Sequence, residues 1–359
     1  MNAPISPAQS AAQGLRWSDT RFLLAWLLPL LTLVSAWVQP AQAAWGTLVV
    51  WLVVVFADVL IPGRRSPLPV TEPHSSMRWL LRLYVPLQLA MLVVGAWVAH
   101  RHQNLALTVG LALSMGFVCG AQGITYAHEL GHSRSRVDRF MAWVLMACVG
   151  YGHFMVEHYR GHHPRAATHD DPASSRRGES LWRFLPRTLM GSWRSAWQLE
   201  GQRLQQHRRT WWQSPLAWAS AMSVGGVLMV GAVLSPAAAL FWVLQGVVAI
   251  WLLETVNYIE HYGLQRGTSA SGLREPFGLF HAWNADHLVT NSMLANLQRH
   301  SDHHMHAWKP FETLQALPGP QLPTGYAGCL FLAAVPPLWF GLMHPRLDAL
   351  GARTAAPGC

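Results

Sequence analysis

The sequence predicts an all-α integral membrane protein, with six transmembrane helices and a helical, histidine-rich region on one side of the bilayer. Three observations carry this. Of 359 residues, 51% are hydrophobic and only 12% are charged, a balance foreign to most soluble domains. Six apolar stretches approach the roughly 20 residues that a helix needs to cross a bilayer core. Nine of the 19 histidines fall in four short clusters, each at or beyond the same end of these stretches.

The first stretch, about 22–39, reads FLLAWLLPLLTLVSAWVQ, and no small-residue cleavage site clearly follows it. It is expected to stay as an anchor, not to leave as a signal peptide. The others cover about 43–61, 79–99, 105–127, 215–234 and 236–258. Only a few residues separate the first from the second, the third from the fourth and the fifth from the sixth. Three tight hairpins result, with every longer link on the opposite side. Those links carry Arg64, Arg65 and Arg78, and then 13 Arg against six acidic residues over 133–214. By the positive-inside rule that side is cytoplasmic, together with the N-terminal Arg16 and Arg21. Two histidine-rich parts, 128–214 and 259–325, are therefore expected there.

Two further apolar runs are shorter or broken. The run 140–156 has 17 residues without a formal charge. If it spanned, the histidines on either side would lie about 30 Å apart on opposite faces, so a re-entrant or interfacial course is expected. The run 325–343 is interrupted by Pro336 and Pro337 and is expected as an interfacial helix. With no internal repeat and no linker, 1–359 reads as a single membrane domain.

The formal charge of +9 suits anionic lipid heads or an acidic partner. Nucleic acid is a poor fit, because the arginines are spread among apolar spans and not gathered in an aromatic-interleaved patch. Cys119, Cys148, Cys329 and Cys359 show neither CxxC spacing nor pairing, so they read as plain thiols. Without a four-cysteine iron–sulfur motif, electrons for any redox chemistry must come from a separate protein.

The histidine clusters are HELGH (His128, His132), EHYRGHH (His158, His162, His163), NYIEHYG (His261) and QRHSDHH (His300, His303, His304). Helical positions i and i+4 share a face, so His128 with His132, His158 with His162, and His300 with His304 can each offer two imidazoles to one metal. Adjacent histidines project about 100° apart, so one of His162/His163 and one of His303/His304 can turn to a second ion. Glu129, Glu157, Glu260 and Asp302 sit beside these histidines and are candidates to accept the other ring N–H. His74, His100, His102, His207, His281 and His344 lack partners at helical spacing and read as surface residues. His153, His169, His287 and His306 read as structural or solvated.

Neutral imidazole suits iron, zinc, copper and nickel alike. An intramembrane zinc metalloprotease would use HELGH, Glu129 as general base and one further ligand, leaving seven histidines without a task. A non-catalytic metal-binding membrane protein, such as a transporter, would place ionisable groups deep in its spans, not at the surface. The excess of nitrogen ligands points instead to a two-metal redox centre that activates O2.

HELGH, YGHFMVEHYRGHH with ATHDDPASSRRGES, NYIEHYGL, WNADHLVTN and LQRHSDHH together resemble the membrane-bound alkane 1-monooxygenases, the non-haem di-iron alkane hydroxylases of the membrane fatty-acid desaturase/hydroxylase superfamily. The resemblance runs over roughly two thirds of the chain, departing at His169 and in the short loop QRGTSASGLREPFG. It implies that His128, His132, His158, His162, His163, His261, His300, His303 and His304 ligate two irons. It also implies six transmembrane helices, cytoplasmic termini in a bacterial cytoplasmic membrane, and electrons from rubredoxin, reduced in turn by an NAD(P)H-dependent reductase. The expected reaction is O2-dependent hydroxylation of n-alkanes to primary alcohols. The xylene monooxygenases, which oxidise aromatic methyl groups, share the histidine plan and are the alternative. A substrate without a polar handle must be held by apolar burial, at about 0.8 kcal/mol per CH2. Trp51 or Phe56 on the second span is a candidate floor for that channel.

Overall fold

The computed structural model describes residues 20–61, 75–268 and 271–355. Arg16, Arg64, Arg65, His74 and Cys359 lie outside the described residues. The described chain is helical, with no strands and only two isolated bridges, Thr268 with Arg274 and Asn284 with Gln321. Six helices are long and apolar enough to cross a membrane: α1 (Thr20–Val38), α2 (Pro40–Leu60), α3 (Ser75–His102), α4 (Leu105–His132), α8 (Pro215–Val233) and α9 (Pro236–His261). Between α4 and α8 lie α5 (Arg136–Cys148), α6 (154–165) and α7 (Leu181–Gln206). After α9 come α10 (Leu288–Met293), α11 (His300–Met305), α12 (Tyr326–Ala334) and α13 (Pro336–Ala355).

Local chemistry starts these helices where the hairpins require it. The Asn104 side chain accepts from the Leu107 amide (2.9 Å) at the start of α4, and Ser214 and Ser235 cap α8 and α9 in the same way. Pro215 and Pro236 follow as first helical residues, where a missing N–H costs nothing. Capped so close to the preceding helix, α4 and α9 turn straight back across the bilayer.

Length then places the histidines. The 28 residues of α4 and 26 of α9 extend to roughly 40 Å at 1.5 Å per residue, against a hydrocarbon core of about 30 Å. The excess turns carry HELGH and His261. The fourth helix therefore runs through HELGH, beyond the end at 127 that apolar length alone suggests. The two helices pack closely because Gly116 and Gly120 face α9: a Cβ on Gly116 would stand 2.5 Å from the Gln245 carbonyl oxygen, and one on Gly120 2.9 Å from the Ala249 Cα.

The run 140–156 does not form one helix. It holds the end of α5, a turn at Val149–His153 and the start of α6, with Ala142, Leu145 and Met146 buried. Asp138, fully buried in the first turn of α5, accepts from Arg82 on α3 (2.6 Å) and from Ser133 (2.6 Å). The run 325–343 divides at Val335 into α12 and α13, between which the chain bends by 118°. The break falls before the paired prolines, as their missing amides require.

Replacing Gly116 by Val is expected to force α4 and α9 apart and cost about 2–3 kcal/mol. Heating the protein with a thiol-reactive dye checks this, since Cys119 on the same helix is fully buried and must react earlier in the variant.

Candidate metal centre

The nine clustered histidines converge beneath the apolar helices in two groups. His128, His132, His158, His163 and His303 form one; His162, His261, His300 and His304 form the other. Within each group the candidate ligand atoms all lie within 4.8 Å of one another. Pairs of ring Nε2 atoms approach to 3.0 Å (His128 with His303, His158 with His163), 3.2 Å (His300 with His261) and 3.3 Å (His132 with His128). The second group is fully buried, whereas the first reaches the surface through the half-buried His132 and His163.

The adjacent histidines part as their 100° offset predicts: His163 and His303 face one group, His162 and His304 the other. The spacing argument for His158 with His162 needs correction. The stretch His158–His162 is a π-helical turn, whose wider i to i+5 bonding brings position i+5 round towards the face of i, where a regular α-helix leaves it on the far side. His158 therefore pairs with His163, and His162 turns to the other group. Nothing in EHYRGHH announces a π-turn.

Several polar groups orient the rings. The His162 Nδ1 donates to Asp171 (2.8 Å), which also accepts from Ser174 (2.6 Å) and the Ala173 amide (3.1 Å). Burial opposes charge on Asp171, but the His162 ring and these hydrogen bonds hold its carboxyl down at about 2. The His261 Nδ1 donates to the His281 carbonyl (3.1 Å). Sequence reasoning missed both partners, although Asp171 stands in the quoted ATHDDP segment. Glu129 lies 3.3 Å from the His128 Nδ1 and Glu260 3.3 Å from the His300 Nδ1, each out of line for a hydrogen bond. The other two candidate carboxylates are engaged elsewhere. Glu157 accepts from Arg165 (2.6 Å), with burial pushing its carboxyl up to about 7. Asp302 accepts from His306, Lys309 and the Gln315 amide.

Backbone contacts aim α11. The Asn284 side chain accepts from the Ser301 amide (2.9 Å) and donates to its hydroxyl (2.8 Å), fixing the first turn beside His300. The Trp283 amide donates to the Glu260 carbonyl (2.8 Å), tying this loop to the end of α9. Of the histidines expected on the surface, His281 departs most: its ring is 12% exposed and bonds Glu275 and the Gly278 amide. His344 meets the Tyr262 hydroxyl (2.9 Å), His153 is buried, and His287 donates to the Asp58 carbonyl.

On the bilayer side an apolar cavity abuts the histidines. Its wall includes His128, His158 and His300, together with Leu253, Val256, Met293 and Leu297. Trp51 lines it too, stacked on Phe331 (3.9 Å between centroids, 10° between planes). Phe56 faces away, 64% exposed, and forms no part of it.

Burial first, and the neighbouring imidazoles second, push His158, His163, His300, His303 and His304 well below the usual 6.5. The rings are thus neutral, the form that binds a metal. An unfolded chain takes up protons near pH 6.5 that the folded, metal-stripped protein refuses, so its stability falls with pH below that point. Its thermal midpoint is expected to be flat above about pH 7.5 and to drop steadily towards pH 5.5, as a melting series across pH checks.

Comparison with known proteins agrees with this geometry. Residues 104–331 match the fatty acid desaturase family, a stretch that begins at the start of α4 and ends in α12. An alkane 1-monooxygenase of Pseudomonas putida is 36% identical over 97% of this chain and 90% of its own length. Alkane 1-monooxygenase 2 of Pseudomonas aeruginosa is 40% identical over 82% of this chain and 80% of its own. More distant, the xylene/toluene monooxygenase hydroxylase component of Pseudomonas putida is 28% identical over 84% of this chain and 82% of its own. The chain is a multi-pass membrane enzyme with a histidine-rich metal site, and it belongs to the alkane 1-monooxygenase family, within the fatty acid desaturase superfamily.

Proposed function

We propose that the protein hydroxylates the terminal methyl group of n-alkanes with O2, at two non-haem irons held by the nine histidines. The observation that carries this reading is the junction of cavity and cluster: His128, His158 and His300 belong to the wall of a largely apolar pocket. A molecule with no polar group can be held there by burial alone, its end against the metal site.

The residues present fit iron. All the donors are imidazoles, and His162 Nε2 and both ring nitrogens of His304 are buried without any hydrogen-bond partner. An orphaned buried polar atom costs about 1–3 kcal/mol, which a bound cation removes. When bound, iron supplies the one-electron chemistry that an unactivated C–H bond requires and that no side-chain acid or base provides.

The rest falls to the chain. Asp171 and the His281 carbonyl fix the tautomers of His162 and His261, so that Nε2 faces inward in both. Phe154 and Phe277 stack on His158 and His304 at 4.6 Å and help to keep water from the rings. Trp51 stands across the cavity as a floor that limits chain length. Electrons come from rubredoxin, docking on the arginine-rich side, which in this reading is cytoplasmic in the inner membrane. The whole chain acts as one hydroxylase domain. The distant aromatic-methyl relative keeps alkyl-aromatics in view as substrates of the same chemistry.

Metal analysis with a product screen tests the proposal. Two irons per chain, and O2-dependent conversion of octane to 1-octanol only with rubredoxin and its reductase, are expected; one zinc with peptide cleavage overturns it. Asp171→Ala is expected to lose about 10–100-fold in iron affinity, measured by competition with a chelator.

A further inference from the structure

Asp58 is the one acid on α2 and 2% exposed, and among the described residues it forms no ion pair with an arginine or lysine. Its partners all come from the histidine-bearing layer. Its Oδ1 accepts from the Thr290 amide (3.1 Å), its Oδ2 from the Thr290 hydroxyl (2.6 Å), and its carbonyl from the His287 ring (2.9 Å). The chain of bonds continues. Gln298 donates to the Thr290 hydroxyl (2.7 Å) and accepts from the Tyr326 amide (2.8 Å), and the Tyr326 hydroxyl donates to Glu260 (2.8 Å). At Gly325 a Cβ would collide with the Asp58 carboxylate, so this position needs glycine.

These bonds join three walls of one cavity. Trp51 and Val54 come from α2, Thr290 and Met293 from α10, and Tyr326 and Leu330 from α12. Positions 51, 54 and 58 lie on successive turns of one helical face, so whatever fixes Asp58 fixes the depth and rotation of Trp51. The far side of α2 is apolar and exposed at Val49, Val53, Phe56, Val59 and Leu60, and its other polar anchor is Thr47, bonded to Thr32 and Ser114 near the opposite end of the helix.

We propose that Asp58 is a positioning residue for substrate selection. It pins the end of α2 to Thr290 and thereby sets how far Trp51 projects into the alkane cavity, without touching substrate itself. This rests on the hydroxylase reading above. An Asn at 58 keeps the size but can serve only one of the two Thr290 donors as acceptor, so the pin loosens while the fold stays.

The test compares full-length wild type with Asp58→Asn. Competing n-alkanes of several lengths are expected to show a shift in preference between long and short chains of about threefold or more, carried by KM, with kcat on the alkane that the wild type prefers and iron content unchanged. Amides in the last turns of α2 and at Thr290 are expected to exchange with deuterium about tenfold faster, with α3 unaffected. Thr290→Val, which removes the hydroxyl partner but also alters the cavity wall, should reproduce the faster exchange of the α2 amides, and the double variant should add little to it. An unchanged length profile, or a uniform loss of turnover with loss of iron, overturns the proposal. If the wild type oxidises no alkane, the hydroxylase reading fails and this proposal's substrate role with it, while unchanged exchange at α2 would overturn the pin by itself.

Discussion

Gly116 and Gly120 bring the backbone of α4 against that of α9, and the histidine layer depends on that contact. Both helices outrun the bilayer, and each carries histidines only in the excess. Their separation at the glycines therefore sets the separation of His128 and His132 from His261. Buried imidazoles tolerate little error in such a distance, since each ring must find a ligand or hydrogen-bond partner in a medium where an orphan is costly. Small residues in the membrane thus control chemistry several turns away. The remaining histidines, on α6 and α11, are held to this frame by loop contacts, chiefly Asp171 and Asn284.

Much of this was legible in the sequence because apolar length and helical period are local signals. Six runs near 20 residues became six helices, and the HELGH spacing put two imidazoles on one face. What the sequence hid was local in position but dictated by tertiary contact. The π-turn at His158–His162 redistributes three histidines between two groups, and only the need to satisfy both explains it. A similar turn at Cys119–Gly123 lies just before HELGH, so the two helices that carry most of the first group both contain one. Such turns recur at functional sites because an extra residue re-aims side chains that the regular helix would misplace.

The orienting groups were the least legible. Adjacency in sequence nominated Glu157 and Asp302, yet neighbours along a helix point about 100° away from one another. Glu157 meets Arg165 and Asp302 meets Lys309, while Asp171 and the His281 carbonyl, nine and 20 residues from the rings they hold, fulfil the expected role. Phe56 failed as a cavity residue for the same angular reason, five positions from Trp51 on the opposite side of α2.

The cavity wall has a bearing on what happens after a hydroxyl group is made. Thr125, Asn257 and Thr290 all face this pocket and each bonds within the protein, to Ala121, Glu254 and Asp58, whereas Gln122, which also lines it, leaves its Oε1 buried without a partner. A newly formed alcohol would find an open acceptor at Gln122, and a hydroxyl that cannot reach one costs on the order of 1–3 kcal/mol in apolar surroundings. Away from Gln122 the pocket holds a polar product less well than the hydrocarbon it came from, so the wall itself discriminates between what it takes in and what it has made.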